Sequence, residues 1–183
     1  MKSENLFIVL LILLALVAAV LSSSLFTVKE WERALKFKFG EFSGEEIQPG
    51  LNFKLPLVNT IEKYDVRIQT MDRPPERFIT VDKEELLVDS FVKWRITDLQ
   101  KYYKTVKFRA NAENRLEQKI NNSLKAQIAR RNIRDVVAGD RGEIMSIVQQ
   151  AIDDEASAIG VEVVDVRLKR VDRADQIQAN VFE

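Results

Sequence analysis

Side chains capable of covalent chemistry are scarce in this chain of 183 residues. It has no cysteine and no histidine, which excludes disulfides, thiol nucleophiles, Ser-His-Asp triads and nearly every zinc site. The familiar nucleophile that remains is a serine activated by a lysine. Residues 22–24 are serines close to Lys29, and Ser90 stands shortly before Lys93.

The spacing of these residues does not favour a serine–lysine dyad. Positions 90 and 93 have opposite parity on a strand, so the side chains of Ser90 and Lys93 are expected to face apart. The sequence also contains no Gly-x-Ser-x-Gly elbow. We therefore interpret the hydroxyls as parts of an anchor and a strand, and keep a Ser-Lys membrane peptidase as the less favoured alternative.

Two charged clusters also resemble binding sites. Residues 153–155 are all acidic, but adjacent side chains diverge on a helix, which favours solvated surface over a metal site. Arg130, Arg131 and Arg134 lack interleaved aromatic residues, so a cluster complementing a helix end is favoured over a phosphate or nucleic-acid site. The 28 basic residues balance the 28 acidic ones. We predict no cofactor, no metal, no nucleic acid and no small-molecule substrate.

An unbroken apolar run covers residues 6–21. It corresponds to roughly 24 Å of helix, or about 31 Å if extended to residue 26, which is the thickness of a bilayer core. The alternative is a cleaved signal peptide that begins at Lys2, but the length favours an uncleaved anchor. The predicted tail and anchor occupy residues 1–27, with these membrane-spanning residues: Leu6, Phe7, Ile8, Leu14, Val20, Leu25 and Phe26.

Strand-like patterns follow the anchor. The clearest is residues 85–96, where one face is apolar and the other mostly charged. That apolar face contains Leu86, Val88, Val92, Trp94 and Ile96. Shorter strands are predicted near residues 28–43, 51–55 and 61–68, and Pro74-Pro75 marks a connection between elements.

The second half of the chain is mainly helical. Asp98 is expected to cap a short helix, and Leu116, Ile120, Leu124 and Ile128 recur every four residues as on an amphipathic helix. A second helix is predicted from Asp140, with the apolar face Ile144, Ile147, Val148, Ala151 and Ile152.

Gly160 should end that second helix. Residues 161–171 then read as a strand with Val164, Val166 and Leu168 on its buried face. The predicted fold class is α+β. Its expected parts after the anchor are a strand-rich subdomain at 28–98, a helix-helix-strand subdomain at 99–172, and the start of a long, truncated helix at 173–183.

Three segments resemble the SPFH, or prohibitin-homology (band 7), domain of the stomatin–prohibitin–flotillin–HflK/HflC superfamily. They are VKEWERALKFKFGEF (28–42), PGLNFKLPLV (49–58) and GVEVVDVRLKRVD (160–172). Within the superfamily, residues 64–98 look like HflC proteins. Two features depart from the pattern: the chain ends where relatives continue into a coiled coil, and Arg173-Ala174 stands where relatives commonly have Leu-Pro.

The resemblance implies a single-pass protein of the bacterial inner membrane that has no enzymatic activity of its own. It implies pairing with an HflK-like paralogue in a large hetero-oligomer that regulates an FtsH-like AAA protease and so modulates membrane-protein degradation. A stomatin-like lipid-domain scaffold is the other alternative. The resemblance also implies a periplasmic domain. The positive-inside rule, applied to the basic residues after the anchor, instead indicates the cytoplasm.

Two surfaces are predicted to make contacts: one with the membrane and one with another subunit. Strands beside the anchor can lie against the bilayer, which makes Phe37, Phe39 and Phe53 candidate membrane-facing residues, although core packing is the default for strand aromatics. On the strand at 161–171, the face that carries Asp165, Arg167 and Lys169 is a candidate subunit interface.

Overall fold

The computed structural model describes residues 10–15, 22–139 and 141–173, and residues 10–15 and 22–24 are helical. Within these ranges, no helix is both long enough and apolar enough to span a bilayer. Most of the predicted anchor, including Leu6, Phe7, Ile8 and Val20, lies outside the described residues. Leu14 is helical.

The predicted end of the anchor needs correction. Leu25 and Phe26 lie in strand β1 (Leu25–Val28) and not in a helix. Pairing explains the difference, because β1 forms an antiparallel ladder with β4 (Gly50–Phe53). Leu25 and Phe26 are apolar, which suggested that the helix extends to them, but backbone hydrogen bonds to a neighbouring strand favour a strand there.

The described chain divides into two compact units, and the N-terminal unit ends at Val66. Besides the β1–β4 pair, it contains a three-stranded antiparallel sheet with β2 in the centre. The strands of this sheet are β2 (Glu32–Lys38), β3 (Glu41–Ile47) and β5 (Asn59–Asp65). Its buried apolar side chains include Val28, Ala34, Leu35 and Phe37.

The C-terminal unit is built around β8 (Glu85–Ile96), whose bounds match the predicted strand. The predicted apolar face of β8 is confirmed, since all five of its residues are buried. β6 (Gln69–Asp72) and β7 (Glu76–Ile79) pair with one edge of β8, and β9 (Val161–Arg173) pairs with the other. The two prolines connect β6 to β7, as predicted. Every strand pairing among the described residues is antiparallel.

The described part of this unit contains four helices: α1 (Leu99–Thr105), α2 (Arg109–Ile128), α3 (Ile133–Ala138) and α4 (Arg141–Ala158). The cap is confirmed, since the Asp98 carboxylate accepts a hydrogen bond from the Lys101 N–H at 2.9 Å. The apolar stripe of α2 is also buried as predicted. On α4 the buried residues are Ile144, Val148, Ile152 and Ala156, whereas Ile147 is half-buried and Ala151 exposed.

The predicted buried face of β9 is confirmed at Val166, which is buried, and is wrong at Val164. Val163 is buried and Val164 is exposed, the reverse of a simple alternation. Lys93 pairs with Asp165 while Trp94 pairs with Val163, so Val164 is an extra residue in a β-bulge. The bulge inverts which side chains point to the core, and a single strand's sequence does not reveal it.

The boundary between the two units lies at Val66–Arg67, whereas the sequence pattern predicted a subdomain boundary after residue 98. The long pairing of β8 with β9 explains this, because it joins strands 67–98 to the helices that follow them. Residue 173, the expected first residue of the long helix, ends β9. The remainder of that predicted helix lies outside the described residues.

Candidate functional site

Apart from residues 10–14, six large apolar side chains of the N-terminal unit are more than half exposed, although residues of this kind are usually buried. They lie on β1, on β4 and in the loops after β2 and β4. We call this set the apolar rim: Leu25, Phe39, Leu51, Phe53, Leu55 and Leu57.

The β1–β4 ladder brings three rim residues to one face. Leu25 pairs directly with Phe53, and Leu51 lies two residues before Phe53, so all three side chains point to the same side. The Lys54 N–H donates to the Ser24 carbonyl at 2.8 Å, which continues the ladder back to the helical serines. This apolar face therefore begins directly where the segment preceding β1 ends.

Two further rim residues occupy strained positions in loops. Phe39 has φ 50° and Leu57 has φ 71°, which costs a non-glycine residue on the order of 1 kcal/mol. The Phe39 N–H donates to the Val58 carbonyl at 2.9 Å, and this bond holds the two loops together. Both side chains nevertheless point outward, with exposed fractions of 75% and 102%. The strain presents apolar groups to the surroundings without burying them in this chain.

The three predicted membrane-facing phenylalanines separate into two groups. Phe39 and Phe53 belong to the exposed rim. Phe37 is 3% exposed, and its ring centroid lies 6.0 Å from that of Phe42, so it packs in the core, which was the default expectation for strand aromatics. β2 is the central strand of its sheet, and Phe37 fills the core beside it. Leu51 and Leu57 were missed, since isolated leucines give no periodic signal; only the Leu-Pro-Leu sequence around residue 56 hinted at an exposed loop.

The charged residues of β9 are paired within the chain. Arg167 Nε lies 2.7 Å from an Asp165 carboxylate oxygen, and the Lys169 ammonium donates to both carboxylate oxygens of Asp72 on β6. The hydrogen bond with Asp72 raises the pKa of Lys169. Arg167 remains largely exposed, so it can also reach a partner.

No serine–lysine dyad forms at β8. Ser90 lies beside Val88 and Val92 in a small cavity beneath α2, while the Lys93 ammonium lies 5.9 Å from the Phe91 ring centroid on the other face. The predicted opposite orientation of Ser90 and Lys93 is thus confirmed. Nothing in this arrangement activates a nucleophile.

The charged clusters behave as surface features. Asp153 and Asp154 are exposed, and Glu155 lies 3.4 Å from Arg115. Within the described residues, no group of three or more acidic side chains converges as a metal site would require. Arg131 donates to the Gln127 carbonyl at 3.1 Å in the last turn of α2, which agrees with the interpretation as a helix-end cluster.

A buried aromatic pair stabilises the C-terminal unit. Trp94 and Tyr102 are 0% and 2% exposed, and their stacked rings lie 6.4 Å apart. Burial, reinforced by the nearby Glu113 carboxylate, raises the pKa of Tyr102 to about 12. The phenol therefore stays protonated and serves packing.

Comparison with known families matches residues 26–183 to the SPFH domain / Band 7 family. Among individual proteins, the chain is 36% identical over 185 residues to Protein HflC of Haemophilus influenzae, covering 95% of this chain and 63% of that relative. It is 30% identical over 217 residues to Modulator of FtsH protease HflC of Escherichia coli K12, covering 93% and 65%.

A third relative, Protein HflC of Buchnera aphidicola subsp. Acyrthosiphon pisum, is 33% identical over 185 residues. The match covers 89% of this chain and 60% of that relative. The chain therefore spans a little under two thirds of the length of these curated relatives.

Proposed function

The chain belongs to the SPFH domain / Band 7 family, and we propose on that premise that it is a membrane-anchored scaffold subunit that regulates a membrane AAA protease. The name of the Escherichia coli relative, Modulator of FtsH protease HflC, supports a protease of the FtsH type. The observation that carries the membrane part is the apolar rim, which begins immediately after the apolar run of the sequence.

In this proposal copies stand side by side in the bacterial inner membrane, with the SPFH domain in the periplasm. They pair with an HflK-like paralogue and limit which membrane proteins reach the enclosed protease. The site supports a scaffold better than an enzyme, because its distinctive groups are exposed apolar side chains and paired surface charges. The protease partner supplies the chemistry.

The rim provides a second attachment beside the anchor. Phe39, Phe53 and Leu57 would enter the interfacial region of the bilayer, where exposed apolar surface is favourable. A stomatin-like lipid scaffold would use the rim in the same way, so the rim alone also favours that second candidate. The charged face of β9, with Asp165, Arg167 and Lys169, would contact a neighbouring subunit.

The bilayer contact can be measured with single cysteines, because the chain has none of its own. A polarity-sensitive fluorophore attached to Leu57→Cys in proteoliposomes should emit at a shorter wavelength than the same fluorophore does when it is exposed to water. The matched control is Ser157→Cys on α4, which is exposed and should report water. Equal, water-like emission from both positions would contradict contact between the apolar rim and the bilayer.

Regulation can be measured as the half-life of a membrane-embedded protease substrate in cells with and without this chain. Confinement predicts a longer half-life when the chain is present. In cells that lack the protease, the chain should make no difference. An unchanged half-life in protease-containing cells would contradict the regulatory role and leave the lipid-scaffold candidate.

A further inference from the structure

Two lysines lie beside the apolar rim. Lys38 directly precedes Phe39 in the chain, and Lys54 follows Phe53 and precedes Leu55. Lys38 is exposed and Lys54 is half-buried. A lysine next to exposed apolar side chains can lay its methylene stem along them while its ammonium group stays in a polar environment. The border of the rim is therefore cationic at two positions.

Backbone contacts hold these two lysines in one part of the unit. Lys38 pairs with Asn59 in the β2–β5 ladder, and the Asn59 N–H donates to the Leu55 carbonyl at 2.9 Å. Leu55 is the residue directly after Lys54. The Cα atoms of the two lysines therefore lie within roughly 15 Å of each other, and both ammonium groups belong to the same border of the rim.

The other cations of the described N-terminal unit already have partners. Three of them form ion pairs with glutamates at 3.7, 2.8 and 3.9 Å: Arg33, Lys36 and Lys63. The Lys29 ammonium lies 5.1 Å from the Trp31 ring centroid. Among the described residues, neither Lys38 nor Lys54 has an ion-pair partner. These two ammonium groups are thus available to an anion from outside the chain.

An acidic residue also stands at this border. Glu41 is paired with Lys38 across the hairpin and is exposed. Within the part of the chain that the structure describes, its carboxylate forms no ion pair with the Lys38 ammonium. Two ammonium groups against this one carboxylate leave the border with a net positive charge.

Alternation along the chain suits these cations to the phosphates of lipids. Phe53 and Leu55 are expected to point to one side and Lys54 to the other. When an apolar face enters the boundary between headgroups and acyl chains by about 5–10 Å, the backbone behind it lies at the level of the headgroups. A free phosphate ion would gain nothing from the exposed apolar side chains of the rim, whereas a phospholipid offers both an acyl chain and a phosphate.

We propose that Lys38 and Lys54, together with the apolar rim, bind the phosphate groups of anionic phospholipids. The inference rests on the proposed function and names the class of lipid that the rim would select. Zwitterionic lipids carry the same phosphate but balance it with a cation of their own, so they bind less well. Each lysine near an anionic membrane surface strengthens association by roughly fivefold.

Quenching by brominated lipids at the rim measures this selection. The full chain with Leu57→Cys carries a fluorophore and is reconstituted into vesicles of equal parts phosphatidylcholine and phosphatidylglycerol, with bromine on the acyl chains of one lipid or the other. Bromine quenches at short range, so the ratio of the two quenching constants reports which lipid lies at the rim. The expected ratio is on the order of fivefold in favour of phosphatidylglycerol, and about 0.5 M NaCl should reduce it towards one.

Charge variants supply the second arm. Lys38→Gln/Lys54→Gln should bring the ratio to about one, because both ammonium groups at the border are then absent. The matched control is Lys83→Gln/Lys125→Gln, which removes two exposed cations from the C-terminal unit and should leave the ratio unchanged. Inorganic phosphate, compared with chloride at equal ionic strength, should also leave it unchanged.

Equal quenching by the two brominated lipids would overturn the inference, as would a ratio that responds equally to the two double variants. A ratio that inorganic phosphate abolishes would overturn the lipid as the ligand. In each of these cases, quenching by brominated phosphatidylcholine would still report contact between the rim and the bilayer, so the proposed membrane attachment would stand. An absence of quenching by either lipid would overturn that attachment together with the inference.

Discussion

Gly160 is the residue at which a single added methyl group has the clearest expected cost. Its φ is 76°, and a Cβ there would lie 2.4 Å from the Asp98 carbonyl oxygen and 2.7 Å from the Tyr102 nitrogen. Gly160→Ala should therefore lower the free energy of unfolding by about 2 kcal/mol or more. Denaturant titration measures this. Gly142→Ala is the control, since it has open space and should be neutral or stabilising.

Tyr102 should make stability depend on pH in the alkaline range. Burial raises the pKa of Tyr102 from 10.0 to about 12, so between those values the unfolded chain loses a proton that the folded chain keeps. The free energy of unfolding should fall with pH over this window by at most about 1.4 kcal/mol per unit, with no such slope below it. Tyr102→Phe should remove this component, and Tyr103→Phe should retain it. An identical slope in both variants would contradict the assignment.

Phe39 should make the folded protein less stable than asparagine would at the same position, because asparagine suits the backbone geometry of this turn. Phe39 and Gly40 form the two-residue loop between β2 and β3, both with positive φ, the geometry of a type I′ turn in which Asn-Gly is strongly favoured. Phe39→Asn should therefore raise the free energy of unfolding by about 1 kcal/mol. Thermal or chemical unfolding would show it. Reduced stability would mean that the exposed ring packs within the chain.

At the scale of elements, prediction succeeded where a repeat was long. The alternation in β8 and the four-residue spacing in α2 each extend over several repeats, and both fixed the buried face correctly. β6, β7 and α3 are too short to show a period, so the sequence did not predict them. Phe37 and Phe39 have the same parity, yet one lies in the core and the other in a turn, because the hairpin ends their alternation.

β9 allows a direct test of a bulge. Val163→Ala should lower the free energy of unfolding by about 2 kcal/mol, because it removes buried methyl groups, whereas Val164→Ala should cost less than about 1 kcal/mol. The two residues are adjacent and chemically identical, so each is the control for the other. Equal losses of unfolding free energy, or a larger loss at Val164, would indicate simple alternation along β9 and contradict the bulge.

For the whole molecule, the sequence predicted the fold class and the family but not the surfaces that a scaffold would use. The apolar rim depends on which leucines the strand pairing leaves uncovered. This arrangement has no local periodic pattern, so the sequence did not predict it.

The most direct test of the central claim is co-purification of the full, tagged chain from bacterial membranes in mild detergent, with partners identified by mass spectrometry. The proposed scaffold function predicts recovery of a paralogous SPFH subunit together with a membrane AAA protease, and loss of both from a control tag fused to the apolar run alone. Recovery of the chain only with lipid, or with neither protein, would contradict the claim that it regulates a membrane protease.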